Sequence, residues 1–295
     1  MAAPNIPEHG VDADELLLSA CSTTLRRLGA EVRIRAGGEN LVRALRPDPP
    51  FAPRGPAPWT GPPNARVPAE GGPAAVIEAA GLPNLLHEFV HVALAGCLTD
   101  DHGIDYQAIP YDLDTAAGRA VLWDEVAACV VSCGYLLGAS TGMGAWVRVD
   151  GWFDEQLGIA PVFYGMDDEP SKFWSELPRV VGAHRAECDA MTACAHDRVA
   201  LLLQWGAQHH ATPTRLDFDA LWTHAAVVDN HTANFGVRVP GRLVLRSPTL
   251  SASITFLASP LLQATAPAAI GSMAAMVAAK IDDAERAEQA AYDDD

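Results

Sequence analysis

The chain has 295 residues, 49% of them hydrophobic, enough to bury a substantial core as one large domain or two small ones. Thirty-seven Asp and Glu stand against 20 Lys and Arg, a formal charge of −17. No cluster of Lys and Arg offers a phosphate-binding surface, which argues against nucleic acid as a partner and disfavours strongly anionic substrates.

The N-terminus has no positive region ahead of its apolar stretch and does not read as a secretory signal. Residues 12–28 predict an amphipathic helix, capped by Asp12 and ended by Gly29. Residues 30–35 alternate as a strand does. Residues 47–73, rich in Pro and Gly, predict a long irregular excursion, with Trp59 pinning it to the body. Pro83 and Asn84 make a helix start, with Asn84 as N-cap. That helix should run from about 85 to 95 and stop at Gly96.

An acidic loop over 99–114 follows. Asp114 then caps a helix over about 115–138 that is apolar on nearly all faces and so belongs inside the protein. Residues 146–153 and 161–165 read as short strands. Residues 178–206 read as one long helix with a buried stripe of Val181, Cys188, Met191, Ala195, Leu202 and Trp205. Residues 217–229 read as helical, 236–246 as a hairpin or strand pair, and 281–295 as a frayed acidic tail.

The apolar stretch from Ile254 to Ala279 is interrupted by Pro260 and Pro267, so it lacks the unbroken run a membrane span needs. The six cysteines form no CxxC pair and read as buried reduced thiols. With no repeat and no linker, the expectation is a single domain over residues 1–295. It is of the α+β class, mainly helical, soluble and cytoplasmic, with no membrane partner.

The chemistry concentrates in His87-Glu88-Phe89-Val90-His91. Residues four apart share one helix face, so His87 and His91 can offer two imidazole nitrogens to one metal. Glu88 then lies beside the ligand pair, near a metal-activated water. It is placed to take that water's proton during attack on a carbonyl. Two histidines leave a third ligand to find. A His six residues after the second would complete one zinc pattern, but that position is Cys97. Glu125 sits in LWDEVAAC on the apolar helix, where a carboxylate is costly unless paired or metal-bound. It is the favoured third ligand, with Asp101, His102 and Asp105 as alternatives. Asp124 is either a support for a ligand histidine or a surface charge.

His87, Glu88 and His91 followed by a helix-borne Glu125 resemble the zincin metallopeptidases, and within them the glutamate-ligand gluzincins. The resemblance covers roughly residues 84–135. It implies a small twisted sheet packed on two active-site helices, with a helical C-terminal part. It implies zinc held by His87, His91 and Glu125, with Glu88 as general base. One position departs from the gluzincin pattern: Cys129 stands four residues after Glu125, where an Asp supporting a ligand His is common.

A hydrolase of this kind also needs a donor for the developing oxyanion. Tyr106, Tyr111, His184, His224 and His231 are candidates, with Tyr106 and His231 preferred. His184 and Cys188, one turn apart, raise the thought of a second metal site. The expected function is zinc-dependent hydrolysis of a peptide or amide bond in a peptide or small-molecule substrate. A peptide- or natural-product-tailoring metalloenzyme and a non-catalytic metal-binding protein are the alternatives. Two histidines and a carboxylate also suit iron, and manganese stays open beside it, with zinc the default in the absence of a redox motif. The acidic loop predicts a preference for neutral or cationic substrates.

Overall fold

The computed structural model describes residues 13–36, 40–47, 50–59, 63, 72–100, 112–139, 152, 170–224, 227–229, 242–247 and 252–257. Residues 170–175 and those from 222 onward are described by backbone alone. Several expectations therefore lie outside the described residues: the Asp12 cap, nearly all of the strands at 146–153 and 161–165, and the acidic tail.

Helix α1 (Ala13–Leu28) buries Leu17, Cys21, Leu25 and Leu28, the stripe that its periodicity predicts. Gly29 ends it at φ +103° and turns the chain into β1 (Ala30–Ile34). Strands β2 (Leu41–Ala44) and β3 (Ala75–Ala79) complete a sheet of order β1-β3-β2. β1 runs parallel to the central β3 in the register Val32↔Ile77, and β2 runs antiparallel to it with Val42↔Ile77. Between β2 and β3, part of the Pro-rich excursion is fixed against the body. The Phe51 and Ala52 N–H groups donate to the Gly96 carbonyl, and Phe51 meets Trp59 edge-on at 6.0 Å.

The chain leaves β3 almost directly into α2 (Leu82–Ala95). Every residue of α2 except Pro83 is buried. Helix α3 (Ala116–Ala139) packs along α2, and α5 (Arg185–Ala207) packs against α1, α2 and α3. Gly206 allows the close α1–α5 crossing, because a Cβ there would lie 2.3 Å from Thr24 Oγ1. α4 (Pro170–Ala183) precedes α5, and α6 (Phe218–His224) packs on α3. Strands β4 (Val227–Asp229), β5 (Arg242–Ser247) and β6 (Ala252–Leu257) form a second, antiparallel sheet of order β4-β6-β5. The described chain is thus α+β and mainly helical.

α3 is the one helix among the described residues long and apolar enough to cross a membrane, and 89% of its most apolar window is buried within the protein. All six cysteines are free thiols.

Several local expectations need correction. Asn84 does not cap α2. It is buried within the first turn, while Gly81 in extended conformation holds the cap position and Pro83 takes the early site where a missing N–H costs nothing. Thr115, not Asp114, caps α3, its Oγ1 accepting from the Gly118 N–H at 3.1 Å. The predicted helix over 178–206 is two helices. His184, at φ −122° and ψ 35°, breaks the run and hands its carbonyl to the first turn of α5. The helix predicted over 217–229 ends at His224, and Val227–Asp229 pairs with β6 instead. β5, the described end of the predicted 236–246 pair, runs antiparallel to β6, and residues 236–241 lie outside the described residues.

Candidate metal centre

α2 and α3 cross so that the one-turn pair His87 and His91 faces Asp124 and Glu125. Two short sequence features thereby become one centre. The four-residue spacing on α2 puts the pair on one face. At its C-terminus, Gly96 adopts the left-handed conformation at φ +69° and donates its N–H to the Val92 carbonyl. No side chain fits there, since a Cβ on Gly96 would lie 2.2 Å from the Ala52 carbonyl oxygen.

His87 Nε2 and His91 Nε2 lie 2.9 Å apart. Glu125 presents one oxygen to each, Oε2 at 3.6 Å from His87 Nε2 and Oε1 at 3.5 Å from His91 Nε2. A tetrahedral zinc with ligand bonds of about 2.0–2.1 Å separates its donor atoms by about 3.3 Å, so these distances bracket the requirement. Among the described residues, His87, His91 and Glu125 are the one group of three or more His, Cys, Asp or Glu side chains close enough to share an ion.

The donor set is two imidazole nitrogens and one carboxylate, which suits zinc and also iron. Asp124 supports one ligand. Its Oδ1 lies 2.6 Å from His91 Nδ1, leaving Nε2 for the centre. His87 has no such support, and its buried Nδ1 is without a hydrogen-bond partner.

The electrostatics favour a cation. Glu88, Asp124 and Glu125 are all buried, with Glu88 8% exposed and His91 3%. Burial pulls the His91 pKa down, but Glu125, the Asp124 hydrogen bond and Glu88 outweigh it and hold the ring up to about 9. Asp124 faces Nδ1 of this ring and His87 faces its Nε2. A metal held here would bind the ring through its deprotonated Nε2. Cys129 offers no thiolate, because burial first and Glu125 second hold its thiol well above its ordinary value.

The other candidates divide cleanly. Tyr106, Tyr111, His231, Asp101, His102 and Asp105 lie outside the described residues, as does the side chain of His224. His184 sits at the start of α5 and faces Glu187 at 3.6 Å, and it is not among the residues that cluster with His87. Glu187 itself is engaged by Arg119 through both its oxygens, so no described third group joins His184 and Cys188 around a metal. Asp100, in the acidic loop, accepts from the Ala44 N–H of β2.

The sequence pattern does not reveal three residues around this centre, Trp152, Ser132 and Arg198. Trp152 packs edge-on to His87 at 5.8 Å, and its indole N–H donates to Ser132 Oγ at 3.0 Å. Arg198 is buried beneath the C-terminus of α2, where its guanidinium donates to the carbonyls of Ala93, Leu94 and Ala57. Buried charge on α5 is the available signal for Arg198; a contact so distant along the chain leaves none for Trp152. The chain matches no protein-family model, no curated protein and no solved structure.

Proposed function

We propose that the chain is a zinc-dependent hydrolase of the zincin type, acting on a peptide or amide bond. Glu88 is its general base, and His87, His91 and Glu125 are its metal ligands. One observation carries the reading: three donors of the His, His, Glu set meet from two helices in a buried, acidic setting, with Glu88 on the turn between the histidines. The resemblance of the same residues to the gluzincin pattern supports it.

Zinc, when bound, supplies Lewis acidity and lowers the pKa of a coordinated water. The chain's own groups do the rest. Asp124 holds His91 with Nε2 directed at the centre. Glu88 receives the proton released in the attack on the carbonyl and delivers it to the leaving nitrogen. Tyr106 and His231 remain the proposed donors to the oxyanion. The preference for neutral or cationic substrates rests on Asp100, Asp101 and Asp105, of which Asp100 accepts from the Ala44 N–H of β2.

A second reading draws on burial. Structural metal sites are closed, whereas catalytic ones keep a position open, and His87, Glu88, His91 and Glu125 are each at most 8% exposed. Glu88 separates the two readings, since a structural clamp has no use for it.

The test is metal content by elemental mass spectrometry, with peptide and amide hydrolysis measured on the same samples. About one zinc per chain is expected for wild type and none for His87→Ala or Glu125→Ala. Zinc retained in both variants sinks the ligand assignment. Zinc bound but no substrate cleaved favours the structural reading.

A further inference from the structure

The two ligand histidines are held by different means. His91 is fixed through Nδ1 by the Asp124 carboxylate, a charge-assisted hydrogen bond that sets both ring orientation and tautomer. His87 has no acceptor at Nδ1. At the gluzincin support position, four residues after Glu125, stands the neutral thiol of Cys129. With Nδ1 unpartnered, the His87 ring has no hydrogen bond on that side to set its angle about the Cβ–Cγ bond, and packing must hold it there.

Packing is supplied from one side by Trp152. Its ring lies 5.8 Å from that of His87 at an interplanar angle of 83°, and the residue is 4% exposed. The indole is itself tethered. Its Nε1–H donates to Ser132 Oγ at 3.0 Å, and that hydroxyl donates to the Cys129 carbonyl at 3.1 Å. Cys129 lies one turn beyond Glu125 on α3. The tether therefore fixes Trp152 to the same helix that supplies the third ligand.

We propose that Trp152, anchored by Ser132, is the positioning residue of His87, holding the ring against Glu125 where a carboxylate would otherwise orient it. This rests on the reading of His87, His91 and Glu125 as a metal centre. The pair acts through His87 and touches no substrate. The two supports are unequal: the Asp124 hydrogen bond at His91 resists rotation and sets the tautomer, whereas an edge-on ring at His87 resists rotation alone. His87 is thus the ligand whose placement is most sensitive to neighbouring packing.

The experiment is zinc affinity by chelator competition, together with the visible absorption spectrum of the cobalt-substituted protein. Wild type is compared with Trp152→Leu, Trp152→Phe, Ser132→Ala and the Trp152→Phe/Ser132→Ala double variant. Trp152→Leu should weaken zinc about 10- to 100-fold and alter the cobalt bands, because the coordination geometry changes. Trp152→Phe keeps the ring edge and loses the tether. Ser132→Ala loses the same hydrogen bond, so each should show a smaller, similar loss and the double variant no more than either.

Unchanged affinity and spectrum in Trp152→Leu overturns the proposal. So does weaker binding with an unchanged cobalt spectrum, which is what loosened packing alone would give. If Trp152→Leu does not fold, Ser132→Ala and Trp152→Phe decide, and additive losses in their double variant overturn it. A wild type that takes up no zinc sinks the metal centre itself, a result separable from zinc-replete wild type with indifferent variants.

Discussion

Helix α2 carries two buried centres of opposite charge, and they are resolved in opposite ways. At its C-terminus the Arg198 guanidinium meets backbone carbonyls of α2 and of the 51–59 segment, and lies over the Trp59 ring at 5.2 Å. The cation sits at the negative end of a helix dipole, its two terminal nitrogens donating to three carbonyls while Nε stays unpartnered. One turn earlier, three buried carboxylates lie around two histidines whose Nε2 atoms are 2.9 Å apart. The first centre closes the fold around α2. The second brings His87, His91 and Glu125 close enough to share an ion, a donor set that a metal would fit.

The sharpest way to break this comparison is at Glu88. Glu88→Gln should leave zinc at about one per chain and reduce cleavage of any substrate the wild type accepts by about 10²- to 10⁴-fold. Equal turnover in the variant, measured at matched zinc content, would falsify the general-base role.

At the other centre, Arg198→Met should act on stability and spare the metal. It takes the guanidinium donors from the carbonyls of Ala93, Leu94 and Ala57, of which Leu94 keeps the Gly55 N–H, and a buried carbonyl left without a donor costs about 1–3 kcal/mol. Relief of the desolvated charge offsets part of this, so a net loss of about 3 kcal/mol is expected, read from urea unfolding of the zinc-free protein. Zinc stoichiometry should not move. Loss of zinc as complete as in His87→Ala would show that the two centres are not separable.

Asp124→Asn gives the next smaller effect. The amide keeps the shape but loses the charge that holds His91, so zinc affinity should fall about 10- to 100-fold with stoichiometry still attainable in excess metal. An unchanged dissociation constant would place the support of His91 elsewhere.

These sites differ in how visible they are in the sequence. The pairing of His87 with His91 follows from helical periodicity alone, and Glu125 stands out as a charge in an apolar run, so both are legible from residue order. Their meeting depends on α2 packing against α3, which local pattern does not encode. β3 does not read as a strand because Ala75–Ala79 is a short, nearly continuous buried run, which periodicity cannot tell from a piece of helix. Asn84 and Asp114 are both good capping residues in composition. Gly81 and Thr115 take those positions because the helices begin where tertiary packing fixes them. Trp152 and Ser132, and Arg198 with Ala57, are matched only in three dimensions, and nothing in either segment signals the other.

The smallest predicted effect concerns a third charged contact, on the rim rather than in the core. Arg119 of α3 grips both oxygens of Glu187 on α5 at 2.9 and 3.0 Å, and the Trp123 indole adds a third donor. The Arg119 hydrogen bonds, then Trp123, hold the Glu187 carboxyl down to about 2 against an opposing push from burial. A pKa lowered in the folded state contributes stability that is fully present above about 4.5 and is lost as pH falls towards about 2. Glu187 is 42% exposed, so solvent screens the pair and its contribution is modest beside those of the two buried centres. Wild type should therefore exceed Glu187→Gln in urea midpoint at pH 6, and the gap should close as pH is lowered from 4.5 to 2. A gap that persists unchanged across that window would mean that Glu187 joins α3 to α5 through packing and neutral hydrogen bonds. The three charged contacts would then differ in kind, with only the metal centre depending on ionised carboxylates.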